Sequence, residues 1–182
     1  HIVMGLPTLP YSDSGRFDAF VFNACLGGGM TSRLYQTVRE EKGWAYSIFS
    51  MLNTFNDCGA LMIYAATDNK LYRNVIEAIY KDLEHLRKNK ISAAEVEFYK
   101  KQVRGQLLIA AEDIDSRMHS LAINEMVFGK YRSVESVIQE MDKVTPKSVE
   151  KYIKDWVNPE KMNLYMMGDL DKSKTKKWLE GL

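Results

Sequence analysis

Apolar residues recur along this chain with two different periods, and the switches between them outline its elements. Ile2 to Leu6 is a short apolar run that stops at Pro7, the pattern of a buried strand. Ser12-Asp13-Ser14-Gly15 forms a turn able to cap a helix, and Phe17, Phe20, Val21, Ala24 and Cys25 follow at helical spacing. The triple glycine Gly27-Gly28-Gly29 ends that helix, because a helix interior accommodates glycine only at a cost. Thr31 or Ser32 caps a second, shorter helix that runs to about Glu41 and is stopped by Gly43. Trp44 to Phe55 is rich in aromatic and β-branched residues. After the turn Asn56-Asp57, the strongly apolar Gly59 to Thr67 reads as its antiparallel partner.

The second half of the chain switches to the helical period. Asn69 caps a long helix whose Leu71, Val75, Ile79, Leu83 and Leu86 form one apolar stripe. Ser92 with Glu95 makes a capping box for a helix carrying Val96, Tyr99, Val103 and Leu107 on one face. Further helices are expected from about Ile114 to Val127, ended by Gly129, then after Ser133, and after Thr145-Pro146 with proline at the first helical position. Lys161 to Met167 is a last strand, ended by Gly168-Asp169. Strands and helices do not alternate one for one. The pattern therefore predicts an α+β domain, a mostly antiparallel sheet covered by helices, over residues 1–182.

Composition narrows the function more than the fold. Hydrophobic residues are 46% and charged residues 27% of 182, enough for a real core in one domain. A net charge of +1 supplies no field for nucleic acid or an anionic membrane. No apolar run approaches the roughly 18 residues that span a bilayer. The opening HIVMGLPTLP carries no basic leader and has Met4 after three residues, so it reads as the interior of a longer protein, with localisation signals elsewhere. Cys25 and Cys58 lack metal or disulfide spacing and read as buried small hydrophobes.

Little in the chain reads as a complete catalytic site. His1, His85 and His119 include no pair four apart. Glu84-His85 resembles the end of an H-x-x-E-H helix, but the first position is Lys81. There is no nucleophile elbow and no phosphate loop, since the glycines lack a following Lys-Ser/Thr and come after a helix. The unusual stretch is LGGGMTSRLYQTVREEKGWAYSIFS, Leu26 to Ser50. Gly27, Gly28 and Gly29 allow close backbone approach, and Arg39 and Tyr46 stand seven apart across a turn. Such a pair can project a guanidinium and a phenol into one cleft. Chemistry alone favours the plainer reading, a surface ion pair and a half-buried strand tyrosine.

LGGGMTSRLYQTVREEKGWAYS resembles the signature of the C-terminal, non-zinc domain of the pitrilysin or insulinase family of zinc peptidases, near its bacterial processing-protease-like members and mitochondrial processing peptidase. HIVMGLPTLPYSD, FNDCGALMIYAATDNK, LEHLRKNKISAAEVEFYKKQVRGQLLIAAEDIDSRM and VTPKSVEKYIKDWVNPEKMNLYMMGDL extend the resemblance, in family order, over nearly the whole chain. It implies a single inactive-type domain in which FVFNACLGGG stands where homologous domains carry the zinc helix. The three motif positions then fall on Phe20, Asn23 and Ala24, which cannot ligate.

The same resemblance implies that zinc resides in the full-length protein or a partner subunit and not in this chain. The partner would be a homologous zinc-bearing domain or subunit closing with this one on a peptide substrate. Arg39 would grip the peptide backbone, Tyr46 would bind substrate and stabilise the tetrahedral intermediate, and Gly27 to Gly29 would line the wall. No nucleic-acid or membrane-spanning role is implied, and assembly into a homo-oligomer is left open. The family also includes non-catalytic structural and partner subunits, the alternative for this chain.

Overall fold

The computed structural model describes residues 1–179. One four-stranded antiparallel sheet carries helices on one face. Its strands are β1 (Ile2–Thr8), β2 (Ser47–Thr54), β3 (Gly59–Ala66) and β4 (Asn163–Met166), ordered β2-β3-β1-β4. Among the described residues seven α-helices accompany it: α1 (Arg16–Leu26), α2 (Tyr72–Lys88), α3 (Ala93–Glu112), α4 (Ile114–Phe128), α5 (Val134–Asp142), α6 (Pro146–Trp156) and α7 (Lys172–Leu179). The expected α+β class and antiparallel sheet are what the chain adopts. No helix among the described residues is long and apolar enough to cross a membrane.

Period-two alternation sets which strand residues meet the helices. Ile2, Met4, Leu6, Ile48, Leu61, Ile63 and Ala65 are buried on that face. β1 continues through Pro7, beyond the expected stop. β4 pairs only with Ile2 to Gly5, so at Pro7 the strand has β3 alone as neighbour, an edge position where proline is tolerated. The Trp44 strand begins later than expected, at Ser47.

Helix α1 is the hub, packed against α3, α6 and β2. Its burial is not confined to one stripe: Phe17, Ala19, Val21, Phe22, Ala24, Cys25 and Leu26 are all buried. Phe22 is 0% exposed and lies 5.5 Å from the Tyr152 ring of α6, whose hydroxyl meets Thr8 Oγ1 of β1 at 2.6 Å. Phe20, expected in the apolar stripe, is only partly buried. The expected cap at Ser12 to Gly15 also differs: no side chain caps α1. Asp13 instead accepts from the Gly15 amide at 2.7 Å, and Ser12 donates to the Asn56 carbonyl in the β2–β3 loop. Asn69 does not cap α2, which starts at Tyr72 after Leu71.

The α2 stripe Val75, Ile79, Leu83 and Leu86 is buried. The Ser92–Glu95 capping box is formed, and Thr145 caps α6 with Pro146 in its first turn. Helix α7 was not expected. It is tied to α2 by Trp178 set edge-on to Tyr72 at 5.8 Å and by Thr175 at 3.0 Å from the Tyr72 hydroxyl.

Candidate functional site

The Leu26–Tyr46 stretch is held at several points. Gly27 follows the last residue of α1, and its carbonyl accepts from the Ser50 amide of β2 at 2.9 Å. A Cβ on Gly27 would stand 2.5 Å from that amide nitrogen, and one on Gly28 would stand 2.8 Å from Ala24 Cα. Packing therefore requires glycine at 27 and 28 with no substrate present. Gly29 differs, because a Cβ there would meet only Gln102 Nε2, at 3.3 Å.

Beyond the glycines, Tyr99 of α3 donates to the Thr31 carbonyl at 3.0 Å. Arg33 bridges Asp82 of α2 at 3.3 Å and Glu95 of α3 at 3.1 Å. Burial pushes the Asp82 carboxyl up, and Arg33 only partly offsets it. Burial also acts upward on Glu95, but hydrogen bonds from Ser92 and the Arg33 charge bring it below its ordinary range.

The expected helix after Ser32 is largely a π-helical segment, Tyr35–Glu41. Thr37 Oγ1 bonds the Arg33 carbonyl, the back-bonding that competes with the regular ladder, and the Trp44 amide reaches back to the Val38 carbonyl at 2.9 Å. Gly43, at φ +61°, makes the left-handed exit that L side chains rarely adopt. Arg39 lies near the end of this segment with its guanidinium 4.9 Å from the Tyr35 ring centre. Tyr46 donates its amide to the Ala66 carbonyl at 2.8 Å, extending the β2–β3 ladder, while its side chain is 84% exposed. Among the described residues, neither the Arg39 guanidinium nor the Tyr46 hydroxyl has a hydrogen-bond or ion-pair partner. Both are free to donate, and the surface ion pair and half-buried tyrosine that chemistry alone favoured are not present.

The sheet adds residues that sequence reasoning missed. On its uncovered face Phe49 stacks with Tyr64 at 5.0 Å, and His1 Nδ1 meets the Tyr64 hydroxyl at 2.8 Å. Met51 and Tyr165 share that face and are exposed. The signal was in the strands, since Ile48-Phe49, Leu61-Met62 and Ile63-Tyr64 are apolar at both parities although helices cover only one side.

A zinc ion does not fit the α1 positions. Phe20 packs edge-on to Phe17 at 5.8 Å, Ala24 is buried, and Asn23 Oδ1 already accepts from Ser50 Oγ at 2.8 Å. Among the described residues no three or more His, Cys, Asp or Glu side chains cluster as metal ligands would. Cys25 is buried, and burial pushes its thiol up to about 12. Cys58, expected to be buried, is exposed in the β2–β3 loop.

Residues 1–103 match the family model described as the peptidase M16 inactive domain. An uncharacterized zinc protease of Mycobacterium leprae is 37% identical over 149 residues, covering 82% of this chain and 34% of the relative. One from Bacillus subtilis is 35% identical over 144 residues, covering 79% and 35%. The chain thus spans about a third of the length of the curated relatives it matches. The fold is that of the peptidase M16 inactive domain from Pseudomonas fluorescens (TM-score 0.77, 18% identity, 90% of this chain and 40% of that one). It is equally that of a chain of complex III2 from Candida albicans (TM-score 0.79, 18% identity, 97% and 45%). The glycine stretch, the Arg39 and Tyr46 donors and the zinc-incompatible α1 thus sit in a domain of the pitrilysin type: the chain belongs to the peptidase M16 family and is a copy of its inactive domain.

Proposed function

We propose that this domain is the substrate side of a zinc metalloendopeptidase, closing over a zinc site supplied by a homologous domain or subunit. The observation that carries the reading is the pair of unspent donors. An exposed phenol stands just before edge strand β2, and a guanidinium with no carboxylate partner among the described residues lies on the segment leading into it. In this reading the Tyr46 hydroxyl donates to the oxyanion that develops on the scissile carbonyl, an interaction that gains strength only as charge develops. Arg39 grips a peptide carbonyl away from the scissile bond and binds substrate and transition state about equally. An extended peptide passes the Gly29 wall and adds along the outer edge of β2 by main-chain hydrogen bonds.

The test is steady-state kinetics on a peptide substrate, with the full-length enzyme or this chain joined by its zinc-bearing partner. Tyr46→Phe lowers kcat by roughly 10²–10³ if the phenol is the main oxyanion donor. Arg39→Lys, which keeps the charge and loses the planar fork, raises KM more than it lowers kcat. Wild-type kcat and KM in Tyr46→Phe, with unchanged melting, would refute the assignment and leave a non-catalytic partner subunit as the better reading.

A further inference from the structure

A second cleft, of about 350 Å³, shares no residue with the Leu26–Tyr46 stretch. It is lined by Arg16, Asp18, Lys130, Arg132, Glu140 and Lys143, among others. Two of its cations are buried. The Arg16 side chain, at the start of α1, is 5% exposed, and that of Arg132, between α4 and α5, is 8% exposed. Both guanidiniums converge on one oxygen, Oε2 of Glu140, with Arg16 Nη2 at 2.9 Å. Arg16 Nη1 adds a bond to the Asp13 carbonyl at 2.9 Å. Aromatic rings hold the two forks: Phe128 lies 5.2 Å from Arg16 and 4.7 Å from Arg132, and Phe17 lies 4.4 Å from Arg16.

The charges do not balance. One carboxylate faces two buried cations, and Lys130 and Lys143 at the rim add more positive charge. Among the described residues Asp18 is the other carboxylate on the wall, and it is engaged by Ser148 Oγ. Asp13 turns its carboxylate to the Gly15 amide. A buried cation without a counter-charge is costly, and that strain acts on Arg16: burial, then the Arg132 charge, lowers its pKa despite Glu140. Two planar forks with unspent N–H edges, fixed on a shared ring, are what recognition of an oxyanion requires.

We propose that this cleft binds a small anion through a phosphate or carboxylate group, held between Arg16 and Arg132 with Lys130 and Lys143 at the rim. The site is independent of the peptidase reading and would survive its failure.

The experiment titrates the 182-residue chain with inorganic phosphate and, separately, acetate, each against chloride at matched ionic strength. Amide NMR shifts and thermal midpoints are the readouts. Saturable shifts at Arg16, Phe17 and Arg132, with a raised midpoint, support the site. The tighter of the two anions identifies the group it is built for. Arg132→Gln weakens binding by roughly tenfold, the loss of one charge-assisted contact. Lys130→Gln with Lys143→Gln, at exposed positions that leave the packing intact, weakens it several-fold with an unchanged midpoint in chloride. Shifts that never saturate, chloride binding as well as either anion, or full affinity in the double lysine variant would each overturn the proposal.

Discussion

Replacing Gly27 by alanine puts a carbon 2.5 Å from the Ser50 amide nitrogen, about an ångström inside ordinary contact. The obstacle is strand backbone, so no rotamer change relieves it. The end of α1 must move away from β2, which stretches the 2.9 Å bond from the Ser50 amide to the Gly27 carbonyl. Overpacking costs roughly 1–3 kcal/mol, and a weakened backbone bond adds roughly 0.5–1.5 kcal/mol. The expected loss is therefore about 2–4 kcal/mol, a large fraction of the roughly 5–15 kcal/mol that holds a domain folded. Urea unfolding of the isolated chain reads it as a lower midpoint with an unchanged slope. Gly29→Ala is the control. Its Cβ meets only the end of the flexible Gln102 side chain, and the change stays within about 0.5 kcal/mol. A loss below about 1 kcal/mol for Gly27→Ala, or equal losses in the two variants, would refute the packing argument. The contrast also says where the glycine wall should be probed for substrate binding: at Gly29, where stability does not confound activity.

Three further outcomes are expected. Phe22→Ala removes a fully buried ring between α1 and α6 and costs roughly 3–5 kcal/mol in a denaturant melt, while Phe20→Ala, only partly buried, costs clearly less; equal losses would contradict the burial. Burial acts upward on Glu140, but Arg132 and then Arg16 outweigh it and depress its pKa. The stability it contributes is therefore present above its ordinary value of 4.5 and lost as pH falls through the lower folded value. Glu140→Gln flattens that part of the stability–pH curve, and an unchanged acid limb would contradict the assignment. A thiol reagent at mildly alkaline pH labels Cys58 quickly and Cys25 only in denaturant, and rapid labelling of both would contradict the buried, high-pKa Cys25.

Elements fixed by short-range chemistry were legible in the sequence. The α2 stripe and the Ser92–Glu95 box need only neighbours three or four residues away; the box stands as read, and so does the stripe from Val75 to Leu86, while Leu71 precedes the helix as its N-cap. Features set by distant partners were not legible. Helix α7 is Lys-rich with no apolar stripe, and it is anchored by Tyr72, about a hundred residues earlier. Helix α1 is buried almost all round, so helical spacing could not distinguish Phe20 from Phe22. The π-helical segment that carries Arg39 rests on where carbonyls find donors, which apolar spacing does not encode. At the site, Arg39, Tyr46 and the glycines were visible because the motif is local. The Phe49–Tyr64 face emerged only once the strands were paired.

The strand order β2-β3-β1-β4 also fixes when the sheet can be finished as the chain emerges during translation. β1 is made first, yet its second neighbour, β4, comes roughly a hundred residues after β3. At ordinary synthesis speeds that interval is on the order of 5–20 s. Throughout it, the Ile2 to Gly5 edge offers unpaired amides and carbonyls to any passing strand. A nascent or truncated chain stopping before Asn163 would therefore be the aggregation-prone species, and chaperone demand should fall when β4 docks.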